Sequence, residues 1–358
     1  MRGDVQARSL KRYPLGNIVY GDLCEGCRIC MHGRKAVIFI TGLCPVNCFY
    51  CPISAERRGK DLTFVNERQV SSLKELLEEV ELMDAEGAGI TGGEPLVRLE
   101  RTINYIRELK KHFGKDFHIH LYTSSQVLSD SKVRKLEDAG LDELRVHVVD
   151  RAHWNTVTYI SREFSHELSV GLEMPVLPDK GEELYEMIEF LSLKGEIDFV
   201  NLNELEFSET NASSLLERGY VLRKDSMVAA QNSYETGIQV LRRVYENGLP
   251  VSLHLCPAAY KDTIQTSLRY YRRGLNVAKT YELVTDEGLM TYAIVSPVSK
   301  ELEGCSLIRD LEDVYFSENA VHISALKLIP MRCLSRVRIV EETPTYERIR
   351  VSEEEVSC

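Results

Sequence analysis

The chain has 358 residues, 44% of them hydrophobic and 28% charged, and a formal net charge of −11. This is an ordinary globular balance, long enough for one large domain or two smaller ones, and its acidity argues against a general nucleic-acid ligand, which needs a positive footprint. No run of eighteen or more apolar residues occurs, so no membrane-spanning helix is expected, and the N-terminal MRGDVQARSLKRYPLGN has no apolar core behind its basic residues, which points to a cytosolic rather than a secreted protein.

In chain order, GDLCEGCRICMHG (21–33) comes first, then the apolar β-rich run VIFIT (37–41). Further runs of this kind are AGI (88–90), HIHLYT (118–123), LRVHVV (144–149), LSVGLEMPV (168–176), FVNLNELEF (199–207) and VSLHL (251–255). Segments of helical periodicity lie between most of them. Val70, Leu73, Leu77, Val80 and Met83 recur at three- and four-residue steps, with Asn66 placed to cap the start and Gly87 the end. The stretches 101–113, 182–195 and 234–248 repeat the pattern. Apolar strands alternating with amphipathic helices predict a parallel sheet covered by helices, best met by a barrel or partial (β/α) barrel, whose site lies at the carboxyl ends of the strands. After residue 280 the pattern changes to a hairpin around Asp286-Glu287-Gly288, followed by charge-rich sequence with little to bury. The expected organisation is an N-terminal segment 1–35, a core 36–280 and a small C-terminal α+β or β-rich module 281–358 with a loose end.

Ten cysteines in a cytosolic chain are not expected to form disulfides, and six of them fall between residues 24 and 51. Such clustering points to metal or to catalysis. Cys44, Cys48 and Cys51 form C-x3-C-x2-C directly after VIFIT. Structural zinc takes four ligands, usually as two C-x2-C-type pairs, so a three-thiol loop leaves one position without a local partner. A four-iron cluster on three thiolates leaves one iron open to a small molecule.

This triplet, with the aromatic Tyr50 before its last cysteine, resembles the signature of the radical S-adenosylmethionine (SAM) enzymes. ITGGEP (90–95), after the next strand, is similar to the GGEP motif of that superfamily. The resemblance implies an oxygen-sensitive oxidoreductase- or transferase-type enzyme. SAM would be chelated by the open iron of a 4Fe-4S cluster held by Cys44, Cys48 and Cys51. One electron would release methionine and a 5′-deoxyadenosyl radical that abstracts hydrogen from a substrate. It further implies that Gly92, Gly93 and Glu94 receive the SAM amino group, that Thr123, Ser124 and Ser125 approach its carboxylate or ribose, and that Glu173 faces the ribose. An external reductant such as ferredoxin or flavodoxin would supply the electron. The alternative for the Ser/Thr run is a helix cap, and for Glu173 an ion pair. Within the superfamily the chain looks most like archaeal proteins related to pyruvate formate-lyase activating enzyme, and departs from true activating enzymes in its flanking segments.

Cys24, Cys27 and Cys30 form C-x2-C-x2-C before the first strand. They predict either a zinc knuckle completed by His32 or an auxiliary iron–sulfur cluster. Cys256, at the end of the last strand, is the proposed fourth ligand, with Cys305 and Cys333 as rivals. Arg269, Arg272 and Arg273 share a helix face just beyond Cys256. They read as a clamp for an anionic substrate, as a local tRNA-phosphate contact, or as a solvated face. His118, His120, His147, His153 and His254 lie on strands or loops, most of them expected to be structural. The rival functions are a non-catalytic iron–sulfur electron carrier or scaffold and a zinc-binding structural protein.

Overall fold

The computed structural model describes residues 9–164, 166–295, 314–316, 320–324 and 337–356. The chain begins with a hairpin of β1 (Leu10–Arg12) and β2 (Ile18–Tyr20), then α1 (Glu25–Met31) and β3 (Lys35–Phe39). A second hairpin follows, β4 (Thr63–Val65) and β5 (Arg68–Val70), then α2 (Leu73–Leu82), β6 (Gly87–Thr91), α3 (Leu99–Phe113), β7 (His118–Ser124) and α4 (Asp130–Asp138). Next come β8 (Glu143–His147), α5 (Trp154–Phe164), β9 (Ser169–Val176), α6 (Gly181–Phe190), β10 (Phe199–Glu204), α7 (Ala212–Glu217), α8 (Ser233–Glu246) and β11 (Ser252–Cys256). A short α9 (Ala258–Tyr260) runs through a widened π turn at Lys261–Thr266 into α10 (Ser267–Val277).

The seven strands expected from the apolar runs are β3 and β6 to β11. They pair in parallel in the order β11-β10-β9-β8-β7-β6-β3, extended at one edge by β2 and β1 and at the other by β4 and β5. The N-terminal segment is therefore part of this sheet: β2 lies antiparallel to β11, and His254 Nε2 on β11 sits 2.5 Å from Asn17 Oδ1. The helices cover the sheet through apolar faces, such as Ile103, Ile106 and Leu109 of α3.

Six strand spacings of about 4.8 Å would put β3 and β11 about 29 Å apart in a flat sheet. Instead Lys35 on β3 and Cys256 on β11 lie close enough to interact electrostatically. The sheet therefore curls, and α1 lies on its concave side. A Cβ at Gly26 of α1 would stand 2.5 Å from Arg145 Nη2 and 2.6 Å from His120 Nδ1. Only glycine lets the helix approach β7 and β8 this closely.

The helix expected to start at Asn66 starts six residues later. Arg68–Val70 pairs with β4 instead. Asn66 takes a left-handed φ of 52° in the hairpin turn and exchanges two hydrogen bonds with Val37, tying the hairpin to β3. The cap is Ser72, whose hydroxyl accepts from Glu75 N while the Glu75 carboxylate accepts from Ser72 N.

Beyond residue 280, β12 (Leu283–Val284) and β13 (Met290–Val295) form the expected hairpin, turning through Gly288 at φ 81°. They join β14 (Val314–Phe316), β15 (Val321–Ile323), β16 (Val337–Glu342) and β17 (Arg350–Val356) in a second, antiparallel sheet. The end expected to be loose is thus a paired strand up to Val356. Its consecutive Glu353, Glu354 and Glu355 are exposed, and β16 supplies the backbone partners.

Candidate active site and metal centre

A cavity of about 610 Å³ opens at the carboxyl ends of the parallel strands. The loop after β3 brings Cys44, Cys48 and Cys51 to its wall, all three as free thiols. Burial pushes the Cys44 and Cys48 thiols above their ordinary pKa. The loop is pinned from below. Gly93 N donates to Thr41 O at 2.6 Å and Glu94 N to Leu43 O at 2.8 Å. A Cβ at Gly93 would stand 2.5 Å from Leu43 O and 2.8 Å from Gly42 O, so this strand-to-helix turn fits against the cysteine loop only as glycine. Asp61 anchors the same region: Arg98, Arg101 and the Thr41 hydroxyl all donate to it. The hydrogen bond from Arg101 and those from Arg98 and Thr41 hold its pKa well below the carboxylate range against the opposing effect of burial.

Glu94 is 1% exposed. Its Oε1 accepts from Leu96 N at 3.0 Å and the Thr123 hydroxyl at 2.7 Å, and its Oε2 from Ser124 N at 2.8 Å. A carboxylate offers about four acceptor positions. Three are taken, and one remains on a side chain that lines the cavity. Burial lifts its pKa in spite of the three donors, as expected for a carboxylate with no cation bonded to it. Thr123 and Ser124 line the cavity, but their hydrogen bonds serve Glu94 and a local cap at Gln126. Ser125 is not in the cavity wall; its hydroxyl is buried without a partner in the turn that follows β7.

Tyr50 lies against the cavity with its hydroxyl 2.8 Å from His147 Nε2, and His147 Nδ1 is 3.3 Å from Glu173 O. Burial lowers the His147 pKa. Glu173 also lines the cavity, and it is paired: Arg145, Asn201 and Asn203 donate to it at 3.1, 2.9 and 2.6 Å. The far wall is formed by Asn203, Glu204, Glu206 and Lys261, with the Lys261 ammonium on Glu206 and the Arg223 guanidinium on Glu204.

A second group of thiols lies beneath this cavity. Cys24 and Cys27 of α1 accept from Arg145 Nη2 at 3.3 and 3.6 Å. Cys30 interacts electrostatically with the Lys35 ammonium and with Cys256. Burial pushes the Cys256 thiol up to about 12 and raises that of Cys24 as well. His32 is exposed at the C-terminal cap of α1. Cys305 and Cys333 lie outside the described residues. Among the described residues, the one set of His, Cys, Asp or Glu ligand atoms gathered within 4.8 Å is His118, His120 and Glu143. Neither cysteine group is that tight, whereas four thiolates about 2.3 Å from one zinc would be.

The three arginines read as a substrate clamp are placed elsewhere, which corrects that expectation. Arg269 pairs with Glu67, Arg272 with Asp84 and Arg273 with Glu79, and none lines the cavity. They fasten α10 to α2 and its neighbouring turns, and Arg273 also donates to Pro344 O. Of the histidines, His147 reaches the cavity, His153 pairs with Asp150, His118 is half-buried beside Glu143, and His120 and His254 are buried in the curled sheet. Arg145 and Lys35 were not singled out by sequence, whereas Lys261 belongs to the basic stretch after Cys256 and is the member of it that lines the cavity. A charged residue inside LRVHVV, and the period-two placement of Asn201 and Asn203 in FVNLNELEF, are signals of a polar concave face.

Comparison with known proteins adds an independent line. Residues 38–149 match the model of the radical SAM superfamily. A protein of Methanocaldococcus jannaschii, named as a candidate glycyl-radical enzyme activating enzyme, is 36% identical over 284 residues, 77% of this chain and 74% of that protein. A protein of Methanococcus aeolicus, named as a candidate GTP 3′,8-cyclase, is 33% identical over 129 residues, 32% of this chain and 38% of that protein. No helix among the described residues is long and apolar enough to cross a membrane.

Proposed function

Because the chain belongs to the radical SAM superfamily, we propose that it cleaves SAM reductively at the cavity and uses the resulting radical to take hydrogen from a substrate. Cys44, Cys48 and Cys51 would hold a 4Fe-4S cluster, and the curled sheet is read as the partial (β/α) barrel that encloses it. The observation that carries this reading is the shared wall of one cavity: three thiols, with no tight single-ion set around them, face the same space as Gly92, Gly93 and Glu94. The chemistry such a cluster supplies is one electron to the SAM sulfonium, which parts into methionine and a 5′-deoxyadenosyl radical. The free acceptor position of Glu94 takes one N–H of the SAM ammonium. Thr123 and Ser124 hold that carboxylate in place. Glu173 and Tyr50 face the nucleoside side of the site.

The wall of Asn203, Glu204, Glu206 and Lys261 is left for the substrate, replacing Arg269, Arg272 and Arg273 in that role. An external one-electron donor, of ferredoxin or flavodoxin type, supplies the electron. Cys24, Cys27, Cys30 and Cys256 would hold a second iron–sulfur cluster. The cations beside these thiols support this: Arg145 donates to Cys24 and Cys27, and the Lys35 ammonium interacts electrostatically with Cys30, so metal-bound thiolates would give both cations anionic partners.

Anaerobically reconstituted protein given SAM and dithionite should form 5′-deoxyadenosine, and a Cys48→Ala variant should form none. About eight irons per chain would fit two four-iron clusters. Stoichiometric zinc, or iron without SAM cleavage, would favour the structural or electron-carrier alternatives. Deuterium transfer from candidate substrates into 5′-deoxyadenosine would identify the hydrogen donor.

A further inference from the structure

Arg145 forms the partition between the cavity and the second group of thiols, and touches both. Its side chain is 2% exposed. Nε donates to Glu143 Oε1 at 2.6 Å, Nη1 to Tyr122 Oη at 3.2 Å and Glu173 Oε2 at 3.1 Å, and Nη2 to Cys24 Sγ at 3.3 Å and Cys27 Sγ at 3.6 Å. A guanidinium has five N–H donors in a fixed planar fork, and here each has a partner. Two point at thiols and two at residues that line the cavity. Cys24, Cys27, Cys30 and Cys256 do not line the cavity, whereas Arg145, Tyr122 and Glu173 do. Arg145 thus stands between anything bound in the cavity and the second site, with Asn201 Nδ2 beside it joining Glu173 Oε2 at 2.9 Å to Cys24 Sγ at 3.8 Å, and Lys261 of the cavity wall acting electrostatically on Cys256. Lys35 reaches Cys30 but lines no part of the cavity.

We infer that Arg145 is a positioning residue that couples the two sites: it sets the reduction potential of a cluster held by Cys24, Cys27, Cys30 and Cys256, and relays ligand binding in the cavity to that potential. The inference rests on the reading of this thiol group as an iron–sulfur site. Reduction by an external one-electron donor adds one negative charge to the cluster, with no bond made or broken, and oxidises the donor. Hydrogen bonds to cluster sulfurs and an adjacent cation favour the more negative state, so they raise the potential. On the other edge, Glu173 and Tyr122 fix the guanidinium plane. A ligand that takes up the Glu173 carboxylate changes how firmly Arg145 bonds the two sulfurs. The second site would therefore work by electron transfer rather than by touching substrate.

The test isolates the second site in a full chain carrying Cys44, Cys48 and Cys51 all changed to Ala, reconstituted with iron and sulfide. The midpoint potential is read by redox titration followed by electron paramagnetic resonance. Adding Arg145→Gln should lower the reduced-to-oxidised ratio at fixed potential at least tenfold, about 59 mV for a one-electron couple. In the chain with all cysteines intact, adding SAM should shift the second cluster's potential. Arg145→Lys should abolish that shift, while Lys35→Met lowers the potential but keeps it. Selective ¹⁵N-arginine labelling should give a hyperfine coupling to the reduced cluster without any change at Arg145, a reading that survives if the variants fail to fold. Absence of iron from the triple-Ala chain overturns the second-site reading and this inference with it. Iron present with no arginine coupling, or a SAM-dependent shift that persists in Arg145→Lys, overturns the inference alone.

Discussion

Glu94→Gln changes one atom in a buried position whose hydrogen bonds are fully described. The carboxylate accepts from Leu96 N, the Thr123 hydroxyl and Ser124 N. An amide has one oxygen and one NH2 group. Whichever way it turns, the NH2 faces a backbone N–H: Ser124 N in one orientation, Leu96 N in the other. One buried donor is left unsatisfied, which costs about 1–3 kcal/mol of folding stability. The acceptor left for an incoming ammonium also loses its charge. A hydrogen bond to a charged group contributes about 1.5–3 kcal/mol, so SAM should bind about ten- to 150-fold more weakly. Iron content and the spectrum of the reduced protein should stay near normal, because the thiols are untouched. Urea unfolding reads the first effect and anaerobic equilibrium dialysis of SAM the second. A Glu94→Gln protein that binds SAM within about twofold of the parent would refute the assignment of that fourth acceptor position.

Gly93→Ala should act on the cysteine loop instead, since the new methyl collides with Leu43 O and Gly42 O. About four irons should be lost per chain while those of the second site remain, as iron analysis would show. Arg273→Ala strands Glu79, 1% exposed, without its buried partner, and should cost about 3–5 kcal/mol in urea unfolding. Arg272→Ala, on the exposed Asp84, should cost less than about 1 kcal/mol; neither should weaken SAM binding once folded, and a binding defect without a stability defect would restore those arginines to the site. His254 is held neutral, with burial depressing its pKa to about 4. Its folded pKa lies below the unfolded value of about 6.5, so the unfolded chain binds the extra proton first. The stability this contributes is present above pH 6.5 and is lost as the pH falls to 4, up to about 3 kcal/mol. A His254→Gln variant should flatten that part of the stability-versus-pH curve. The raised thiols of Cys44, Cys48 and Cys256 must lose protons to bind metal, so cluster loading should release protons and fall off in acid, measurable by pH-stat titration.

The strands of the parallel sheet are legible in the amino-acid chain. Each is a near-continuous apolar run between amphipathic helices, and burial on both faces leaves that signature whatever the packing around it. The cysteine loop and the Gly92–Glu94 turn are legible too, since each is marked by local spacing, and the structure sets both on one cavity wall. Short edge strands were not legible: Leu10–Arg12, Ile18–Tyr20 and Arg68–Val70 are strands because a neighbour supplies their backbone partners. The roles of charged side chains lay furthest out of reach. Arg273 and Arg269 looked like a free basic face until α10 was packed on α2, where carboxylates absorb them. Arg145 looked like one polar residue in an apolar strand. It became the contact between two sites only when the sheet curled and brought residues 24 and 27 against residue 145. Local pattern records which surfaces must be buried, but a charge acts on whatever lies within a few ångströms of it, and that neighbourhood is set by the folding of distant segments onto one another.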